Sequence, residues 1–219
     1  MIINTNNIQH ISFDLWLTLI KSHPEFKDKR NQLFKDFFDV PKNINEIAGA
    51  IRHFDVFCND TNQRTGLNFD TFEIYYLILD ALEMNLDNIS TQNMSVFYNE
   101  CELLFLEYKP LLLVDDIENI LKDLKNNNIS INILSNTAFI RGRTLRKLLE
   151  FYGLTNYFNF QLYSDETGFS KPNPKMFELV LESANVIKPI KKIEILHVGD
   201  NVIADYNGAL NFGFSAQLI

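Results

Sequence analysis

Hydrophobic positions along the chain follow two rhythms. The first segment, IQHISFDLWLTL, reads as a buried strand followed by a turn. Ile8, Ile11 and Phe13 are β-branched or aromatic, and apolar residues occupy both faces near its end, which suits the centre of a parallel sheet. From about Ser22 to Lys109 the spacing changes to three and four. Phe26, Leu33, Phe34, Phe37 and Phe38 mark one helix, and INEIAGAIRHFDVFCNDTNQRTGLN reads as a second that ends in a polar loop. Phe72, Tyr75, Tyr76, Leu79 and Leu82 mark a third, and a cap-like Ser90 or Thr91 opens a fourth through STQNMSVFYNECELLFLEY. This block is all-helical and rich in Phe and Tyr.

After Pro110 helix and strand alternate. Ile117, Ile120, Leu121 and Leu124 form a helical stripe, and NNNISINILSNT turns into a strand ending at Ser135. Leu145, Leu148, Leu149 and Tyr152 predict the next helix, FNFQLYS the next strand, and Met176, Phe177, Val180, Leu181 and Ala184 another helix. IEILHVGD is a strand ending in Gly199-Asp200, a short helix passes through Ala209 and Leu210, and SAQLI is the last strand. The reading is α/β: a doubly wound, parallel-sheet, Rossmann-like core with an α-helical cap domain inserted after the first strand. The expected boundaries are 1–20 and 111–219 for the core and 21–110 for the cap.

In such sheets ligands bind beyond the carboxyl ends of the strands. Asp14, Ser135-Asn136-Thr137 and Asp200 each follow a predicted strand, and Lys171 lies in the loop after another. If the sheet forms, all four converge on one crevice. The set fits phosphoryl transfer through an aspartate, which attacks phosphorus to give an acyl phosphate. Carboxylate and phosphate repel each other: a pair of unit charges about 4 Å apart costs roughly 4 kcal/mol at an effective dielectric of 20. A divalent cation and a lysine supply the compensating charge, and Mg²⁺ commonly takes one or two carboxylates plus substrate oxygens. Asp14 and Asp200 are the natural metal pair, Lys171 offsets charge on nucleophile and substrate, and Ser135 with its neighbouring backbone holds a phosphate oxygen.

These residues resemble a known family. FDLWLTL, ILSNT, GFSKPNPKMF and HVGDNVIADYNGALNFGF, in that order, are similar to the four motifs of the haloacid dehalogenase (HAD) superfamily, and a helical insertion after the first motif matches its type-one caps. The resemblance covers residues 8–20 and about 112–219. It implies a hydrolase with Asp14 as nucleophile and Lys171 as its lysine, both catalytic. It implies phosphate contact at Ser135, to which the reading adds Asn136 and Thr18, although Thr18 could equally satisfy backbone groups in its turn. It implies a Mg²⁺ site made by Asp14, the Trp16 carbonyl and Asp200, with Asp205 supporting it from the side or contacting it.

Trp16 departs from the pattern. Phosphatases of the superfamily typically carry a second aspartate there, which protonates the leaving group, and indole cannot. A positioned acid or base is worth about 10²–10⁴ in rate. Three readings stay open. In the first, the chain is a phosphatase acting on a small phosphorylated metabolite, with another acid (His23, or His53 and Arg64 from the cap) or a leaving group that needs none. In the second, it is a metal-independent 2-haloacid dehalogenase, against which GDNVIAD argues, because Asp200 would then be an idle charge. In the third, it binds a phospho-ligand and turns over poorly. Phosphonate cleavage would need a Schiff-base lysine; Lys27, Lys29 and Lys35 are available and nothing marks one of them.

The remaining features bound the partners. Net charge −8 and a pI near 5.0 repel a phosphate backbone, so nucleic acid is not expected. Cys58 and Cys101 are far apart and read as two free thiols. MIINTNNIQH lacks the basic-then-apolar pattern of a signal peptide, and LLFLEYKPLLLV is too short and too charged to span a bilayer. The expectation is a cytoplasmic monomer or homodimer away from membranes. Arg141 and Arg143 read as solvated helix charges, His10 and His197 as packed or hydrogen-bonded within strands, and Phe57 or Tyr76 as candidates to face substrate.

Overall fold

A computed structural model describes residues 3–219, so the first two positions of the N-terminal stretch lie outside the described residues. Five short strands form one parallel sheet: β1 (His10–Phe13), β4 (Ser130–Ser135), β5 (Phe160–Tyr163), β6 (Ile195–Gly199) and β7 (Ser215–Leu218), in the order β5-β4-β1-β6-β7. The earliest strand is therefore central, as its apolar residues on both faces predict. On one face Ile11, Phe13, Ile131, Ile133, Leu196 and Val198 pack on α5 (Ile117–Asn126) and α6 (Gly142–Phe151). On the other, Leu134 and Ile195 pack on α8 (Pro174–Ile187) and α9 (Gly208–Phe212). A single turn, α7 (Ser164–Thr167), follows β5.

Between β1 and α5 stands the helical block: α1 (Phe26–Phe37), α2 (Ile44–Thr65), α3 (Thr71–Ala81) and α4 (Thr91–Glu107). Capping boxes start three of these helices, at Asn43, Asp70 and Ser90, and left-handed Gly66 (φ 71°) ends α2. Phe34, Ile47, Ile51, Tyr75, Ile78, Phe97 and Cys101 build the block's own core. Both cysteines are buried and free. The block is tied to the sheet by a ribbon absent from the sequence reading: β2 (Ile20–Lys21) pairs antiparallel with β3 (Leu111–Leu112). Two residues per strand are too few to show a period of two. Among the described residues no helix is long and apolar enough to cross a membrane.

Register sets the site. Phe13 pairs with Ile133 and with Val198, and the Asp14 N–H donates to the Val198 carbonyl at 2.9 Å. Asp14, Asn136 and Asp200 therefore leave the same edge of three adjacent strands.

At the opposite edge His10 is fully buried. Its Nδ1 is 2.7 Å from Ser130 Oγ and its Nε2 2.8 Å from Asn132 Oδ1, and its ring stacks on Phe160 at 5.4 Å. Burial lowers its pKa to about 4, with the Asn132 hydrogen bond opposing. Below the ordinary value of 6.5 the unfolded chain takes up a proton that the folded chain refuses until about pH 4, so stability falls with pH across that window. Between pH 7.5 and 5 this group should cost about 2 kcal/mol. Urea denaturation at the two pH values is expected to show wild type losing about that much more than His10→Gln; parallel losses in the two proteins would remove His10 as the cause.

Candidate active site

Side chains from three loops meet at the carboxyl edge of the sheet. Lys171 is 1% exposed; its Nζ lies 2.7 Å from Asp14 Oδ1 and 2.6 Å from Asp205 Oδ1. Thr18, buried four residues after Asp14, donates to Asp14 Oδ2 at 3.0 Å, so both oxygens of that carboxylate are oriented. The turn that brings Thr18 back is tight: Leu19 N and Ile20 N both donate to the Leu15 carbonyl, and Leu17 is left-handed at φ 58°.

Asp205 sits on a π-helical turn, Val202–Asn207, capped by Asn201. Its Oδ1 also accepts from His197 Nε2 at 3.0 Å, and its Oδ2 from Asn201 N at 3.0 Å. Gly199 permits this approach, because a Cβ there would lie 2.4 Å from Asp205 Cγ. Lys171 is fixed through its backbone. Its N–H donates to Asn136 Oδ1 at 2.7 Å, and Asn136 Nδ2 donates to its carbonyl at 3.0 Å. Asn136 thus links the end of β4 to the lysine loop.

Carboxylate oxygens of Asp14, Asp200 and Asp205 all lie within 4.8 Å of one another. Three acids share one lysine, and the electrostatics reflect the imbalance. Burial pushes Asp14 up to about 7, Lys171 opposes it, and Asp205 and Asp200 add to it. Burial and Asp205 also raise Asp200. Asp205 is opposed by burial but goes the other way, held well below the usual carboxylate range by Lys171 and His197. Burial works against the Lys171 charge, yet the two carboxylates hold its pKa above the ordinary lysine value. Burial lowers His197, the Asp205 hydrogen bond opposes it, and its Nε2 donates to Asp205.

The donor set is all carboxylate oxygen and carries excess negative charge, which fits a hard divalent cation such as Mg²⁺. Asp205 already accepts three hydrogen bonds; Asp14 and Asp200 keep acceptor capacity to spare.

These groups floor a cavity of about 400 Å³, ordinary for a small-molecule site. Asp14, Trp16, Asn136, Lys171, Asp200 and Asp205 line it from the core, and Lys27, Arg30, Arg52, Asp55, Asn59 and Gln63 from the helical block. Ser135 and Thr18 are buried behind the lining, and Ser135 Oγ donates to the Asn136 carbonyl. Trp16 is half-buried, its indole edge-on to Phe105 of α4 at 6.2 Å.

Other candidates lie elsewhere. His23 packs on Tyr108 at 5.6 Å and accepts from Glu25 N, and His53 stacks with Phe57 at 6.2 Å; neither they nor Arg64 line the cavity. Phe57 and Tyr76 do not line it either. Lys29 sits over Tyr108, and Lys35 is bonded to the Val40 and Lys42 carbonyls.

Arg141 is not a solvated charge. It makes a bidentate pair with Asp70 at 2.8 and 2.9 Å and lies between the Phe72 and Tyr98 rings, 4.2 and 4.9 Å from their centres. Asp70 caps α3 and Arg141 opens α6, so the pair braces the helical block against the core. No local sequence signal joins residues 71 positions apart. Arg30 and Asn68, which the sequence reading did not single out, are also placed by tertiary contact alone.

A family model described as haloacid dehalogenase-like hydrolase matches residues 8–213. Haloacid dehalogenase-like hydrolase domain-containing protein 3 of Homo sapiens is 29% identical over 107 residues, 49% of this chain and 39% of that protein, so the match spans less than half of that relative's length. Glyceraldehyde 3-phosphate phosphatase of Methanothermobacter thermautotrophicus is 26% identical over 200 residues, 84% of each chain. The crystal structure of a HAD phosphatase from Thermococcus onnurineus shares the fold, with a TM-score of 0.68 at 17% identity, covering 97% of this chain and 86% of that one. With the motif order, the strand-end geometry and a match over nearly its whole length, this chain belongs to the haloacid dehalogenase-like hydrolase family.

Proposed function

We propose that this chain is a Mg²⁺-dependent phosphatase that hydrolyses a small phosphorylated metabolite through an aspartyl phosphate on Asp14. The observation that supports this most directly is the meeting of Asp14, Asp200 and Asp205 around one buried lysine at the floor of the cavity. Asp14, Asp200 and the Trp16 carbonyl would hold the cation, which would neutralise charge on the phosphoryl oxygens and the attacking carboxylate. Residues 21–110 would act as the cap over a core of 1–20 and 111–219.

In the first step an Asp14 oxygen bonds to phosphorus as the ester P–O bond breaks and its electron pair leaves on the alcohol oxygen. Lys171 and Thr18 hold the carboxylate at a fixed angle, so little orientation is lost on attack. Asn136 holds the lysine, and Asp205 keeps it charged. In the second step water attacks the acyl phosphate, releases inorganic phosphate and restores Asp14. Ser135 would steady the loop through its bond to the Asn136 carbonyl.

Trp16 supplies no proton to the leaving oxygen, and His23 and His53 are away from the cavity. A leaving group of low pKa therefore suits this site best. The dehalogenase reading fits less well, since Asp200, already raised by burial and by Asp205, would stand beside the nucleophile with no counter-charge to hold.

Three outcomes test the proposal. Asp14→Asn should abolish phosphate release from an aryl phosphate while leaving the melting temperature near wild type, and chelation should silence the wild-type enzyme; halide release from 2-chloropropionate with chelator present would select the dehalogenase instead. Across esters of rising leaving-group pKa, wild-type rates should fall steeply, and Trp16→Asp should flatten that slope and speed the slow esters by about 10²–10⁴; an unchanged slope places the proton donor elsewhere. Lys171→Met strands two buried carboxylates and should cost about 3–5 kcal/mol in urea denaturation at neutral pH, with excess Mg²⁺ recovering part of the loss.

A further inference from the structure

The cavity roof carries an arginine that the chemistry at its floor does not use. Arg30, on α1, is 7% exposed and lines the cavity. Its guanidinium donates one hydrogen bond, from Nη2 to Asn31 Oδ1 at 3.2 Å. Its Nε is buried without a partner, and no carboxylate pairs with it among the described residues. Its other neighbours are rings: Phe139 at 4.6 Å and Phe26 at 6.0 Å from the guanidinium carbon. Ring faces attract a cation but accept no in-plane hydrogen bond, so most of the N–H fork is unused. A buried charge in this condition is costly unless something of opposite sign arrives.

The other cavity cations are committed or wet. Lys171 is held between Asp14 and Asp205, Arg52 pairs with Asp55 at 3.0 Å, and Lys27 is exposed. Among the described residues lining the cavity, the buried unit of positive charge to spare is that of Arg30, and it matches a monoanion better than a second phosphate dianion. Its planar fork fits the two oxygens of a carboxylate.

We propose that Arg30 is a specificity-determining residue that binds a carboxylate on the far end of the substrate, so that the substrate class is a phosphorylated carboxylic acid. This rests on the phosphatase reading for the position of the phosphoryl group, and it places the acid's two charged ends at Lys171 with its cation and at Arg30. The Phe139 ring beside Arg30 follows Ser135-Asn136-Thr137 by two residues, so floor and roof are set by one loop.

Binding can test this without turnover. The probes are phosphonoacetate, 3-phosphonopropionate and 4-phosphonobutyrate, each against the alkylphosphonate of equal length, titrated calorimetrically into the full chain in excess Mg²⁺. At least one phosphonocarboxylate should bind tenfold or more tightly than its uncharged-end partner. Arg30→Gln should bring that ratio below about threefold, and Arg30→Lys, which keeps the charge but not the fork, should fall between. No preference in wild type, or a preference that survives Arg30→Gln, overturns the proposal; the wild-type ratio decides even if Arg30→Gln does not fold. If the preference holds but no aryl phosphate is hydrolysed, the subsite stands and the phosphatase reading fails. If neither probe class binds, both fail.

Discussion

Lys171 sits where a lysine is rarely tolerated. It is almost wholly buried, and its charge persists because two carboxylates lie within 2.7 Å. Those carboxylates would themselves be intolerable without it: Asp14 is already pushed up to about 7 with the lysine present. Each member of the trio is stable only in the company of the others, and they arrive from three separate strand ends. Only the parallel sheet, with Asp14 level with the ends of β4 and β6, can assemble them. The lone cation leaves the cluster short of positive charge, which is the condition under which a divalent ion and an anionic ester can both be held.

The same lysine segment also fastens the helical block. Ser170 N and Asn173 Nδ2 both donate to the Gly66 carbonyl at 3.0 Å, Asn68 N donates to the Gly168 carbonyl, and Asn68 Oδ1 accepts from Ser164 and Ser170. The turn between α2 and α3 is thus hydrogen-bonded to the loop that carries Lys171. A second clasp joins the block to the loop after β4: Thr71 Oγ1 donates to the Ala138 carbonyl at 2.7 Å, Arg141 N to Tyr98 Oη at 2.9 Å, and Arg141 grips Asp70. Phe139 is buried in the block's own core. Physically, the loop after β4 belongs to both bodies, so a displacement of the block bears on Asn136 and through it on Lys171.

How much of this was legible in the sequence follows from range. Asp14, Asp200 and Lys171 were readable because each follows a strand with a clear apolar pattern, and strand ends in such a sheet share an edge. Asp205 was readable only through the motif it completes. The β2–β3 ribbon was not, since two residues show no period. The short helix through Ala209 and Leu210 was legible, but the π-helical turn at Val202–Asn207 that leads into it was not, because its composition carries no signal of its own. Arg30, Asn68 and Arg141 are decided by neighbours tens of positions away, and on sequence alone they look like any polar residue at a helix or a loop. Thr18 was even between turn and site; its bond to Asp14 Oδ2 gives it a share in both.

Trp16 is best understood from the fold rather than as a lost catalytic group. It stands between a turn that must close tightly enough for Thr18 to reach Asp14 and the end of α4, where the chain leaves the helical block. Its edge contact with Phe105, which itself packs on Phe26, makes an aromatic chain from the nucleophile's turn to the first and last helices of the block. A carboxylate at that position would lose this packing and add a fourth acid to a cluster already short of cations. The indole therefore favours packing of the helical block over proton transfer, and that exchange is sustainable only where the ester's own leaving group tolerates departure without help.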